Sequence, residues 1–208
     1  ARPYAQFVGN RPVRALHAPM GILSLTETPI VTNLYSQANP ALALRDADAV
    51  LVWVHDDTAL PASQGKGIVA SWWNGANWAA PTNVTANTMS EFNPAVTLVS
   101  DSQALAVWER INDPALPMTA TFDFTTTRKV ELAYAVLDLN THTWSAPVLL
   151  TSNTALDHDM RLASGQDNTA MAVWTGNTAG DLVGSSDAPD TLHYALWDGA
   201  SWNISGTV

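Results

Sequence analysis

Apolar residues along this chain fall in short runs broken by polar turns, and the runs recur. Leu192-His-Tyr-Ala-Leu196 alternates strictly, the pattern of a strand with one buried face. Val50-Leu-Val-Trp53, Leu105-Ala-Val-Trp108 and Met171-Ala-Val-Trp174 are short, apolar and closed by Trp, and read as strands. Asn74-Gly75 and Asp198-Gly199 supply the positive φ that a tight hairpin turn needs. No stretch carries a convincing helical period. The pattern predicts strands alone.

The strands group into a repeat. Strand one reads Pro40-Ala-Leu-Ala-Leu44, Pro94-Ala-Val-Thr-Leu98 and Met160-Arg-Leu-Ala163. A polar turn follows, as in Arg45-Asp-Ala-Asp48, and strand two then ends at Trp53, Trp108 or Trp174. After a variable link, strand three runs from Ile68, Leu132 or Leu192. Strand four opens at Trp78, Trp144 or Trp202, and in the first two repeats passes Pro81 or Pro147 to Thr85 or Thr151. Trp78 to Trp108 and Trp144 to Trp174 are each 30 residues, whereas Trp53 to Trp78, Trp108 to Trp144 and Trp174 to Trp202 are 25, 36 and 28. One half of the repeat is therefore fixed and the other absorbs insertions, as a rigid scaffold with one variable loop does. All nine Trp fall at three repeat positions, which suits rings packed between stacked sheets better than a row of sugar platforms.

Four short antiparallel strands recurring every 55 to 66 residues predict an all-β fold of β-propeller blades. One blade cannot bury both faces alone, and stacking around an axis buries them. Trp197-Asp-Gly-Ala-Ser-Trp202, Trp73-Asn-Gly-Ala-Asn-Trp78 and Thr143-Trp-Ser-Ala-Pro147 resemble the bacterial sialidase-like, Asp-box-containing propellers over about residues 21–208. The resemblance is to an architecture. The Asp-box places one residue between its Asp and Gly, which are adjacent here, and no sialidase catalytic residue carries over.

The repeat divides the chain. Residues 1–20, with Arg2, Arg11 and Arg14, read as an N-terminal extension or linker. Residues 21–37 read as the outer strand of a preceding blade, with Pro29 where Pro81 and Pro147 stand. Blades follow over 38–87, 88–152 and 153–208. About three blades and one outer strand fall short of the four to eight that close a ring, so the expectation is an incomplete part of a larger propeller. The remainder of its own propeller or another chain would complete the ring; self-assembly is the other option.

Composition narrows the function. A formal net charge of -10, with only 9 Lys and Arg, disfavours nucleic acid and anionic membranes. No run reaches the roughly 20 apolar residues of a membrane span. Without Cys there is no disulfide framework, thiolate metal site or cysteine nucleophile. Few Lys beside many Thr, Asn, Ser, Asp and Trp suit an extracellular or cell-surface location.

Propeller topology puts the links between strands two and three, and those between blades, at one mouth. His55, Asp56, Asp57, Glu109 and Arg110 come there from the first kind of link. Glu91, Asp157, His158, Asp159 and Arg161 come from the second. Carboxylates with Arg and His at one mouth suit a sugar ligand, calcium or acid–base chemistry; solvated charges paired locally are the plainer reading. No residue is assigned a catalytic role and no metal site is assigned. No cofactor is expected, with calcium at the acidic 175–191 link the alternative, although the Asp-x-Asp-x-Asp-Gly loop is absent. The leading expectation is a non-catalytic segment recognising carbohydrate or protein, or serving assembly. One alternative is part of a secreted glycosidase or lyase, which as a glycosidase needs two carboxylates roughly 5–9.5 Å apart across a pocket. The other is a subunit of an extracellular filament or sheath.

Overall fold

The computed structural model describes residues 7–8, 11–12, 28–32, 34–61, 63–86, 89–113 and 127–207. Two compact units divide the chain, Ala1–Thr32 and Asn33–Val208. In the first, β1 (Phe7–Val8) and β2 (Arg11–Pro12) form a short antiparallel hairpin. Residues 28–32 and 34–37 of the expected outer strand are bends, turns and irregular chain, and 21–27 lie outside the described residues. So does the stretch 114–126, where the sequence suggests an extra hairpin.

Among its described residues the second unit holds three antiparallel sheets, each one repeat of the sequence. Blade 1 is β3 (Ala41–Arg45), β4 (Asp48–Asp56), β5 (Lys66–Trp72) and β6 (Thr82–Asn83), in that spatial order. Blade 2 is β7 (Glu91–Ser100), β8 (Gln103–Ile111) and β9 (Val130–Asp138), with β10 (Thr143–Trp144) and β11 (Val148–Leu149) both paired to β9. Blade 3 is β12 (Leu156–Ser164), β13 (Ala170–Asn177), β14 (Thr191–Trp197) and β15 (Trp202–Thr207). The described residues contain no helix long and apolar enough to cross a membrane. Among the described residues there are three blades, fewer than a closed ring holds, so these make an incomplete propeller.

The alternation of side chains fixes how blades stack. On β8, Ala104, Ala106 and Trp108 pack on Val50, Val52, Val54 and Ile68 of blade 1. The intervening Leu105 and Val107 face the other way, onto Ala170, Ala172, Trp174 and Trp197 of blade 3. Blade 2 is thus buried on both faces, which explains its continuous apolar runs. The Trp rings are largely core, as expected: Trp53, Trp108, Trp174 and Trp197 are buried, while Trp72, Trp144 and Trp202 pack at the edges of the two junctions.

Polar repeats complete the frame. In the strand three–four hairpins, Asn74, Asp138 and Asp198 each accept two backbone N–H bonds through Oδ1, from residues two and three further on. Gly75 (φ +93°) and Gly199 (φ +100°) take the left-handed position that a side chain resists. Near the other end of the blades, the Thr85 hydroxyl accepts the Ile68 amide and the Thr151 hydroxyl accepts the Leu132 amide, each at 2.9 Å. Strand four is thereby tied to strand three where it leaves for the next blade.

Candidate functional site

The inner strands carry a kink at one repeat position. Asn39, Asn93 and Asp159 all have positive φ (44°, 47° and 53°), a region that Asn and Asp tolerate better than other side-chain-bearing residues. In β7 and β12 the kink coincides with a bulge, between Phe92 and Ala95 and between His158 and Arg161. A bulge re-aims a side chain while the strand continues. Glu91 and Asp157, placed by the sequence in links between blades, therefore lie inside strands.

These residues join into one hydrogen-bonded row across three blades. Asn39 Nδ2 donates to Asn93 Oδ1 at 2.7 Å, and Asn93 Nδ2 donates to Glu109 Oε2 at 2.8 Å. The Asp159 backbone N–H donates to Glu109 Oε1 at 2.9 Å. Both Glu109 oxygens are thus engaged. Burial pushes its carboxyl above the usual range, against the lowering effect of Asn93 and the Asp159 amide. The row borders two concavities. One, of about 390 Å³, is walled by Tyr35, Phe92, Leu156, His158 and Leu182, with Lys66 and Gln37 at its polar edge. The other, of about 590 Å³, is lined by Pro40, Pro94, Met160, Asp159 and Arg161. Lys66 Nζ stands 4.9 Å from the centre of the Tyr35 ring, whose hydroxyl donates to Gln37 Oε1 at 3.0 Å.

The ten residues singled out from the sequence divide between these concavities and the frame around them. Glu109, His158, Asp159 and Arg161 line the two concavities. His158 Nδ1 is 3.0 Å from Asp159 Oδ2, and Arg161 Nη1 donates to the Met160 carbonyl. Glu91 and Asp157 are buried and each accept an indole N–H within their own blade, from Trp108 at 3.1 Å and Trp174 at 2.9 Å. Burial raises Glu91, while the Thr85 hydroxyl, Arg110 and Trp108 hold it down. Arg110 Nε lies 3.9 Å from Glu91 Oε1. Asp56 pairs with Lys66 at 3.6 Å, and Asp57 accepts the Ala59 amide in its turn. Exposed His55 sits opposite Gly67 in the β4–β5 ladder. Asp56 therefore does not join Glu109 and Asp159 at either concavity.

The ten residues singled out from the sequence do not include Asn39, Asn93, Tyr35 or Lys66. A signal existed for the first two: Asn39-Pro40 and Asn93-Pro94 repeat immediately before strand one, and Asp159-Met160 aligns with them. Glu131 was also missed. It is buried, accepts the Thr151 hydroxyl at 2.6 Å and the Asn153 amide at 2.7 Å, and is raised by burial. At the 175–191 link, Asn177 Oδ1 accepts the Ala179 and Asp181 amides, and its Nδ2 donates to Asp190 and the Ala188 carbonyl. An Asn side chain organises this acidic turn.

No family model matches this chain, and no curated protein matches it. Among solved structures it is similar to the sialidase of Trypanosoma rangeli bound to the inhibitor DANA, with 13% identity, 82% of this chain and 30% of that chain covered, and a TM-score of 0.52. It is similar to an α-L-arabinofuranosidase of Fusarium graminearum, with 12% identity over 77% of this chain and 45% of that chain and a TM-score of 0.51. An endo-arabinase of Bacteroides thetaiotaomicron matches with 11% identity over 81% of this chain and 61% of that one, TM-score 0.50. The chain spans less than two thirds of each of these proteins. At such identities the likeness shows the fold, and it agrees with the sialidase-like propeller architecture expected from the repeat.

Proposed function

We propose that this chain is the recognition segment of a secreted or cell-surface β-propeller and that it binds neutral carbohydrate at the mouth of its inner strands without transforming it. The observation that carries this reading is the row Asn39–Asn93–Glu109–Asp159 beside an aromatic and aliphatic wall. A sugar presents hydroxyls on its rim and apolar C–H faces, and orienting amides over an apolar wall match both. The similar structures, a sialidase, an α-L-arabinofuranosidase and an endo-arabinase, lend support at the level of architecture. Glu109 favours binding over turnover because both its oxygens already accept bonds from the protein.

One observation favours a second reading. Burial raises the carboxyl of Glu109, as a general acid requires, and the exposed carboxylate of Asp159 stands next to it. Titration calorimetry of the 208-residue chain against neutral xylo-, arabino- and gluco-oligosaccharides separates the two. Binding should appear, and Asn39→Gly and Asn93→Gly, which tolerate the positive φ, should each weaken it about tenfold. Chain-length analysis of the sugars after incubation should show no cleavage. Absence of binding to every sugar, or binding untouched by both variants, refutes the proposal; cleavage lost in Glu109→Gln establishes the enzyme instead.

A further inference from the structure

The residue just before each inner-strand kink changes chemistry from blade to blade. It is Ala38 in blade 1, Phe92 in blade 2 and His158 in blade 3. Phe92 and His158 both line the concavity of about 390 Å³. Phe92 packs on Ile111, Val130 and Leu156, and the last two also belong to the wall of that concavity. Two blades thus hold this position with an apolar side chain, so the repeat itself does not require an imidazole there.

His158 is 6% exposed, and only one of its ring nitrogens is engaged. Nδ1 lies 3.0 Å from Asp159 Oδ2. Nε2 is buried and has no hydrogen-bond partner among the described residues. A buried polar atom left unpaired costs free energy, and the Phe of blade 2 avoids that cost. The bulge between His158 and Arg161, with Asp159 in the left-handed region (φ 53°), brings the carboxylate against the neighbouring ring. Asp159 lines the other concavity, so the pair stands where the two adjoin.

An ionised carboxylate only accepts. Nδ1 therefore carries the hydrogen of this bond, and in the neutral imidazole Nε2 is left as an acceptor. We infer that His158 is a specificity-determining residue of the carbohydrate site proposed above, a reading on which this inference rests: Nε2 accepts a hydrogen bond from one sugar hydroxyl, and Asp159 is the positioning residue that holds the tautomer. The neighbouring polar groups are already matched, since both Glu109 oxygens and both polar atoms of the Asn93 side chain have partners within the row. Recognition at His158 is then of a free O–H. A sugar whose hydroxyl at that point is replaced by a group that cannot donate leaves Nε2 unpaired, and is rejected for that reason.

The test is titration calorimetry with the same neutral xylo-, arabino- and gluco-oligosaccharides, followed by derivatives of the bound sugar in which fluorine, which cannot donate, replaces one hydroxyl at a time. His158→Phe, which puts the blade 2 residue into blade 3, should bind the sugar about tenfold or more weakly while its Tm is unchanged or higher. One fluorinated derivative should bind the parent chain about tenfold or more weakly than the unmodified sugar, and that difference should vanish in His158→Phe. Nitrogen NMR of the histidine rings in the free chain, recorded above the ordinary imidazole range, should show the His158 proton on Nδ1. Asp159→Gly, which tolerates the positive φ, should move that proton toward Nε2 and weaken binding. Equal binding by His158→Phe and the parent overturns the inference and leaves the carbohydrate reading standing. A His158 proton on Nε2 in the free parent chain likewise overturns it, as does a Tm lowered by more than about 4 °C in His158→Phe, which would make the imidazole structural. Absence of binding to every sugar refutes the carbohydrate reading itself, and this inference with it.

Discussion

The indole–carboxylate bonds that tie strand two to strand one can be tested with an internal control. Trp108 is fully buried and donates from Nε1 to Glu91 Oε1 at 3.1 Å, and Glu91 is itself 2% exposed. Trp53 holds the same repeat position, is 2% exposed, and its Nε1 has no acceptor among the described residues. Position 36, seventeen residues before Trp53, is Ser36, whereas Glu91 and Asp157 stand seventeen before Trp108 and Trp174. Replacement by Phe trims a similar buried ring in all three cases. Only Trp108→Phe and Trp174→Phe also withdraw a donor from a buried carboxylate. A hydrogen bond to a charged group contributes about 1.5–3 kcal/mol. For a chain of this length that excess lowers Tm by roughly 3–12 °C beyond the Trp53→Phe value. The assay is thermal and urea unfolding of the three variants and the parent at neutral pH. For Trp108→Phe the excess should shrink as the pH falls, because burial raises the Glu91 carboxyl and its neutral form needs no donor as an anion. Equal losses for Trp53→Phe and Trp108→Phe, or an excess indifferent to pH, would refute the reasoning.

Other expectations follow from the same buried groups. Burial raises Glu91, Glu109 and Glu131, so the folded chain holds protons that the unfolded chain releases. Their contribution to stability is fully present below the ordinary carboxylate range and falls as pH rises through the raised values, so Tm should increase from neutral toward mildly acid pH; Glu109→Gln should flatten that slope. Thr151→Val removes the acceptor of the Leu132 amide and a donor to Glu131, and should cost about 2–4 kcal/mol in urea unfolding. Asn93→Asp keeps the side chain's shape and its tolerance of positive φ but sets a second carboxylate beside Glu109. It should destabilise the chain at neutral pH by about 1–3 kcal/mol and recover on acidification.

The blades were legible because each repeat carries a Trp closing strand two and an Asx-Gly or Asx-rich turn, and the first two add an exit running from Pro81 or Pro147 to Thr85 or Thr151. Those marks answer to local geometry and to packing, which a sequence records directly. The site was less legible. Glu109, His158 and Asp159 were found as charged residues at strand ends, but the same criterion also drew in Glu91 and Asp157, whose carboxylates are committed to Trp rings within their own blades. Charge alone does not distinguish a side chain aimed at the axis from one tucked beneath the next strand; one residue of register decides it, and here bulges shift that register. Asn39 and Asn93 carry no charge and so were not among the residues chosen from the sequence. Their placement in the row rests on a left-handed backbone that only the aligned Asn-Pro pairs announce.

The two-sided burial of the middle blade also bears on how the chain comes apart. Each neighbour of β8 and β9 can separate by losing a single junction, but these two strands cannot leave without dissolving both. In a stack of units coupled to nearest neighbours, protection is therefore graded from the middle outward. Amide protons of Leu105–Trp108 and Leu132–Ala135 should exchange last, at a rate set by global unfolding. Those of β3 and β15, each at one edge of its sheet, should exchange through fraying that leaves the middle intact. Blade 2 is then the keystone that sets the lifetime of the assembled mouth, since the Asn39–Asn93–Glu109–Asp159 row has its two central members there.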